Sequence, residues 1–237
     1  TKDAEFEIEQ DLRSSVIEKV SRVVKRRKRG ETVRVVYDQA LSPEILRKLS
    51  AMAELNFRDT RIGGGRYHNM RDLMDLPDCG RKGLRFPKQP PLQMNEFHYT
   101  QSMIHQIMHQ DRCLHFPYYS FDHFLRLLQE AAISEEVTEI RISLYRVAQN
   151  SKVVKALTTA AQNGKRVTAV VELLARFDEQ SNINWGKKMQ DFGINVVLGH
   201  EKLKVHSKLV YIRTKHGGIA CIGSGNLHEG TARLYTD

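Results

Sequence analysis

The run Val167-Thr168-Ala169-Val170-Val171-Glu172-Leu173-Leu174 constrains the fold more than any other stretch of this chain. Almost uninterrupted apolar residues over the length of one strand predict a central parallel strand with both faces buried. The segments around it keep the same logic. Glu139 to Tyr145 alternates as a strand. Ser151 caps a helix carrying Val153, Val154, Leu157, Ala160 and Ala161, which Asn163-Gly164 stops. Trp185, Met189 and Phe192 mark a further helix ended by Gly193, and Ile194–Leu198, Lys204–Ile212 and Ile219–Ile222 read as strands. Upstream, Ser120 opens a helix with Phe121, Phe124, Leu125, Leu128 and Ala132 on one face. Strand-helix alternation of this kind predicts an α/β domain over residues 106–237, with a largely parallel or mixed sheet.

Residues 1–105 read as a smaller α+β unit. Leu12, Val16, Val20, Val23 and Val24 recur at helical spacing over 11–29, and Val33 to Tyr37 is a short strand. Ser42-Pro43 opens a helix through Leu55, with serine as N-cap and proline at the first helical position. Gly63-Gly64-Gly65 reads as a loop, since the spacing to a Gly-Lys-Ser/Thr that would make it a phosphate cradle is missing. Residues 77–91 hold four of the six prolines and read as an extended linker.

The formal net charge is +9, and the basic excess is spread along both halves of the chain, which favours a polyanionic partner. The densest basic run, Lys25 to Arg29 before Gly30, lacks interleaved aromatics and reads as a solvated helix end rather than a nucleic-acid site. No apolar run approaches the ~20 residues that span a bilayer. Cys79, Cys113 and Cys221 lie far apart, with neither metal-ligand spacing nor a disulfide framework, which fits a reducing cytoplasm. Thr1 is not an initiator and the chain stops abruptly at Asp237, so it reads as a piece of a longer protein, truncated at its C-terminus.

Against this background His206 and Lys208 stand two apart in an apolar run, where strand alternation puts both on one face. An imidazole can attack phosphorus while an ammonium holds a phosphate oxygen. Arg146 and Arg176 lie just past the ends of the first two strands of the α/β domain. With His206 they are spaced 30 residues apart, about one βαβ unit. Ligands of parallel α/β sheets bind outside the carboxyl ends of strands, where two guanidinium forks would suit phosphate.

His206-Ser207-Lys208 followed by Gly223-Ser224-Gly225-Asn226 resembles the signature of the phospholipase D superfamily, although Arg213 stands where that signature has an aspartate. Longer strings carry a closer likeness. Ile142 to Ala148, Val171 to Glu179, Leu203 to Lys208, and Gly223 to Asn226 followed by Thr231 to Asp237 occur in that order. Together with Lys2 to Glu5 and Asp72-Leu73-Met74, they resemble the bacterial polyphosphate kinases over essentially the whole chain. The resemblance implies a head domain followed by a phospholipase-D-like first catalytic domain. It implies reversible transfer of the ATP γ-phosphate to inorganic polyphosphate through a phosphohistidine. His206 would be the phosphorylated nucleophile, with Lys208 and Asn226 on phosphate oxygens and Tyr235 on ATP. Arg146 and Arg176 would belong to the magnesium site, and because a guanidinium has no lone pair to offer a metal they are expected to grip phosphate near the ion. Glu172 and Asp178 are candidates for orienting the imidazole.

The same resemblance implies cytoplasmic residence, compatible with peripheral contact with the inner membrane. It also implies ATP, ADP and polyphosphate as partners, no nucleic acid, and assembly into dimers or tetramers. Two features depart from the family pattern: Gly199-His200-Glu201-Lys202 replaces a Pro-Gly turn, and the N-terminal helical domain and second catalytic half are missing, so these residues alone are expected to be inactive. The alternatives are a phospholipase-D-type phosphodiesterase or phosphatidyltransferase, and a non-catalytic polyanion-binding module.

Overall fold

The computed structural model describes residues 22, 30–55, 60–77, 79–84, 86–148, 150–172, 179–199 and 204–236. Apart from Arg22, the helix expected over 11–29 lies outside them, as do Arg176 and Asp178. Two compact units are formed, residues 1–89 and 90–237.

In the first unit, β1 (Arg34–Asp38), α1 (Pro43–Met52) and β2 (Thr60–Gly64) make a strand-helix-strand unit whose two strands pair in parallel. The Ser42 hydroxyl accepts the Ile45 N–H at 3.4 Å, and Pro43 occupies the first turn, as the sequence predicts. Gly63 and Gly64 correct the loop reading, because they close β2. Gly63 pairs with Tyr37, and a Cβ added to it would stand 3.3 Å from the Gln39 Cβ and 3.6 Å from the Tyr37 hydroxyl. Glycine at that point leaves room for the Tyr37 side chain to cross the pair.

The second unit contains α2 (Met103–His109), α3 (Asp122–Ile133), β3 (Val137–Leu144), α4 (Lys152–Gln162), β4 (Arg166–Val171), α5 (Glu179–Asp191), β5 (Asn195–Leu198), β6 (Lys208–Thr214) and β7 (Gly217–Gly223). The sheet order is β5-β4-β3-β6-β7. β3, β4 and β5 run parallel, whereas β6 and β7 are antiparallel additions, so the sheet is mixed. The sequence expectation divides the chain at 105; the compact units divide it at 89. Residues 90–105 are tied to the second unit by burial of Met94, Phe97, Met103 and Ile104 in its core. Glu130 of α3 also caps α2, accepting the Ser102 hydroxyl and the Met103 N–H.

Val167, Ala169 and Val171 are buried, while Arg166 is exposed and Thr168 and Val170 are half-buried. The expectation that this strand is buried on both faces is therefore corrected: in the second unit α3 and α4 cover one face, and the opposite face carries Glu139, Arg141, Arg166, Tyr211 and Arg213. The covered face supplies the core, with Leu128, Ile140, Leu157 and Ile212 fully buried. Caps hold the helices to the sheet. Ser151 accepts the Val154 N–H, and Gly164 takes the left-handed φ of +76° that ends α4. Asn163 and Lys165 donate to the Ala132, Ser134 and Val137 carbonyls, which closes the C-terminal end of α3.

One histidine belongs to this packing. His123 is buried on α3; its Nε2 accepts the Met94 N–H at 3.1 Å, so Nδ1 carries the proton facing the Tyr99 hydroxyl, also at 3.1 Å. Burial holds the imidazole below its ordinary 6.5, with Arg126 adding to the shift and Asp122 opposing it. As pH falls, the unfolded chain then takes up the proton first. The stability this residue provides is complete above the unfolded value and is lost as pH falls toward the folded one. Urea midpoints measured from about pH 8 to about pH 5 should decline through this window, and His123→Gln should remove part of the slope. A His123→Gln variant with an unchanged slope would count against the assignment.

Candidate active site

The parallel strands β3 and β4 end together. Leu144 pairs with Val171, and the Glu172 N–H donates to the Leu144 carbonyl at 3.0 Å. There the two chains part, and fully buried Asn182 of α5 bridges them, its Nδ2 donating to the Tyr145 carbonyl at 2.8 Å and the Glu172 carbonyl at 2.7 Å. This fixes the carboxyl edge of the sheet, where such folds bind ligands.

The Glu172 carboxylate is buried at this edge, and its Oε2 accepts the Val205 N–H at 2.8 Å. Gly199 lets Val205 approach: a Cβ there would meet the Val205 Cγ2 at 2.9 Å. On β3, the Ser143 Oγ donates to the Ser207 carbonyl at 2.6 Å and accepts the Leu209 N–H at 3.0 Å. His206 therefore sits between two anchored neighbours. It does not lie in a strand, which corrects the sequence reading. β6 begins at Lys208, because the Ser207 carbonyl and the Leu209 N–H are taken by a side chain and the His206 N–H turns back to the Lys204 carbonyl. His206 is exposed and Lys208 is buried, so strand alternation is not what joins them.

They meet through Tyr145. The His206 ring stands edge-on to the Tyr145 ring at 5.2 Å, the Lys208 Nζ lies 5.4 Å from its centroid, and the Arg146 guanidinium lies 5.8 Å from it. Lys208 also donates to the His206 carbonyl at 2.5 Å. Two cations share one aromatic ring beside the imidazole, an arrangement that concentrates positive charge there.

Lys208 opens a second part of the site. With Asn226, Tyr235, Arg112 and His115 it lines a cleft of about 770 Å³, whose lining is otherwise mostly apolar and includes Phe116. The loop bearing Asn226 and Tyr235 is held from both sides: Glu229 Oε1 accepts the Lys152 N–H at 2.6 Å, and His228 Nδ1 accepts the Gly230 N–H at 2.9 Å. The half-buried Asn226 Oδ1 has no hydrogen-bond partner among the described residues. The structure thus gathers Arg146, His206 and Lys208 around Tyr145, and Lys208, Asn226 and Tyr235 around the cleft, with Lys208 common to both. Arg176 lies outside the described residues. Of the two carboxylates considered for orienting the imidazole, Glu172 acts on the backbone beside it and Asp178 lies outside the described residues.

Sequence reasoning missed Tyr145, Ser143 and Asn182. The position of Tyr145 beside Arg146 at a strand end was the available signal, whereas Asn182 shows none because its partners are carbonyls distant in sequence. Among the described residues, no group of three or more His, Cys, Asp or Glu could hold a metal ion. Arg146 does not fit as a direct ligand, for want of a lone pair. No described helix is long and apolar enough to cross a membrane.

The model for the polyphosphate kinase C-terminal domain 1 matches residues 102–237, and that for the polyphosphate kinase middle domain matches residues 1–76. The chain belongs to the polyphosphate kinase family. It is 40% identical over 241 residues to the polyphosphate kinase of Vibrio vulnificus (strain YJ016), covering all of this chain and 34% of that protein. It is 38% identical over 243 residues to that of Escherichia coli (strain K12), covering all of this chain and 35% of the relative. The crystal structure of polyphosphate kinase from Porphyromonas gingivalis matches with a TM-score of 0.70 and 38% identity, over 86% of this chain and 32% of the other. The chain thus spans about a third of the length of these family members.

Two outcomes follow from the geometry. Ser143→Ala removes an acceptor and a donor that hold the His206 segment, and should cost about 1–3 kcal/mol, read from urea unfolding. An unchanged midpoint would show that the serine does not anchor it. The Cys221 thiol, facing the cleft, is pushed up to about 11 by burial, whereas Cys79 and Cys113 are exposed. Alkylation near neutral pH should label the exposed pair quickly and Cys221 slowly, by peptide mass spectrometry.

Proposed function

We propose that this chain contributes the phosphoryl-accepting histidine of an enzyme that moves the ATP γ-phosphate reversibly onto inorganic polyphosphate. The observation that carries the reading is the convergence of His206, Lys208 and Arg146 on Tyr145, in a chain of the polyphosphate kinase family.

A ring nitrogen of unprotonated His206 attacks the γ-phosphorus. A nitrogen–phosphorus bond forms, the bond to the β–γ bridging oxygen breaks, and ADP leaves with that oxygen. The other ring nitrogen keeps its proton. A terminal oxygen of polyphosphate then attacks the same phosphorus, the nitrogen–phosphorus bond breaks, and the chain is one phosphate longer. Lys208, Arg146 and Arg176 offset the charge on the equatorial oxygens, and Asn226 donates to them. The apolar part of the cleft lining suits a nucleotide base, and Tyr235 belongs to the same lining. Magnesium, which the family reading includes, would accompany the nucleotide on its phosphates, so the arginines meet phosphate rather than ion. Glu172 and Ser143 hold the backbone on either side of His206 and limit the reorganisation needed for attack.

Incubation of the protein carrying this chain with magnesium and ATP should add one acid-labile phosphoryl group, located at His206 by peptide mass spectrometry and absent in His206→Ala. An adduct that survives the substitution would overturn the assignment. Turnover of a phosphodiester without any adduct from ATP would favour the phospholipase-D-type alternative instead. Alone, these 237 residues are proposed to have little or no polyphosphate synthesis, and robust synthesis by them would refute that point.

A further inference from the structure

On the sheet face opposite α3 and α4, one buried carboxylate is ringed by three exposed guanidiniums. Glu139 of β3 pairs in register with Arg166 of β4 on one side and Arg213 of β6 on the other, and Arg141 follows two residues along the same face. The Arg141 Nε donates to Glu139 at 2.9 Å, while Arg166 and Arg213 approach it at 3.6 and 3.9 Å. The glutamate side chain is 5% exposed and the arginines are 60%, 71% and 52% exposed. Among the described residues no other carboxylate lies within ion-pair distance of these three arginines. One negative charge therefore faces three positive ones, which leaves a local excess of two. Glu139 uses a single close donor, and the remaining guanidinium donors point to solvent across a row spanning two strand gaps, about 10 Å.

We infer that this face is a second binding surface for inorganic polyphosphate, holding a stretch of the chain at a distance from the reacting end. Several linked phosphates can meet Arg166, Arg141 and Arg213 at once, and guanidinium forks bind phosphate oxygens in pairs. The described residues of this face offer no stacking platform of the kind that single-stranded nucleic acid uses. Tyr211, the one aromatic among its described strand residues, is folded over Gly218, where an added Cβ would come within 2.6 Å of the tyrosine hydroxyl. Glu139 serves as the post around which the three arginines are arranged. The inference rests on the polyphosphate reading, since the partner's chemistry is taken from it.

The test is fluorescence anisotropy of end-labelled long-chain polyphosphate with this chain across a salt series. The Arg141→Gln, Arg166→Gln, Arg213→Gln triple variant should bind at least about tenfold more weakly, and its slope of log affinity against log salt should be shallower by about 2. Glu139→Gln should act oppositely and tighten binding, because it removes the negative charge at the centre of the three arginines while keeping an acceptor for Arg141. Tripolyphosphate, too short to reach the whole row, should compete weakly. An unchanged salt slope in the triple variant, or weakening by Glu139→Gln in a folded protein, would overturn the inference. So would an equal arginine-dependent loss for single-stranded DNA. The arginine effect is read as binding without turnover, so a missing phosphohistidine and a missing arginine effect refute the kinase reading and this surface separately.

Discussion

The candidate site depends on Glu172, a buried carboxylate at the point where two parallel strands end. Its backbone N–H closes the β3–β4 ladder, its carbonyl is held by Asn182, and its side chain captures Val205 from a segment 33 residues further on. A buried carboxylate is costly unless hydrogen-bonded, so the Val205 N–H stabilises Glu172 as much as Glu172 positions Val205. Ser143 secures the other side of His206 by the same means, using one hydroxyl as donor and acceptor. The histidine is thus held by its neighbours' backbones while its ring remains exposed.

Tyr145 explains how two cations can stand beside that ring. Lys208 is buried, and a buried ammonium needs compensation. It finds the His206 carbonyl and the π-face of Tyr145. Arg146 approaches the same tyrosine. The ring quadrupole attracts both cations, which draws their positive charge together beside the imidazole.

Much of the second unit was legible in the sequence because it is written in local signals. The Ser151 cap, the Asn163-Gly164 stop, the Gly193 turn and the alternation of β3 all depend on residues within a few positions of each other. The 30-residue rhythm placed Arg146 at the edge where Glu172 and His206 are also found. What was not legible depends on tertiary partners. The apolar run at β4 suggested burial on both faces, but Thr168 and Val170 face a polar layer supplied by β3 and β6. The strand assigned to Lys204–Ile212 starts late because Ser143, 64 residues earlier, takes the Ser207 carbonyl. Gly63 and Gly64 looked like a loop because glycine is depleted in strands, yet here they leave room beside Tyr37.

Arg213 connects the site to the rest of the sheet. An acidic residue at that position, as in the phospholipase D signature, would stand opposite Glu139 with Arg166 beyond it. Like charges directly across a ladder are unfavourable, so arginine there suits this sheet. The positive charge of the domain is accordingly placed in two ways. Beside His206 it is tied to an aromatic ring and a backbone carbonyl, which suits the fixed geometry that the proposed phosphoryl transfer would need. On the opposite face it is carried by exposed arginines around Glu139, an arrangement with the reach that the proposed polyanion contact would need.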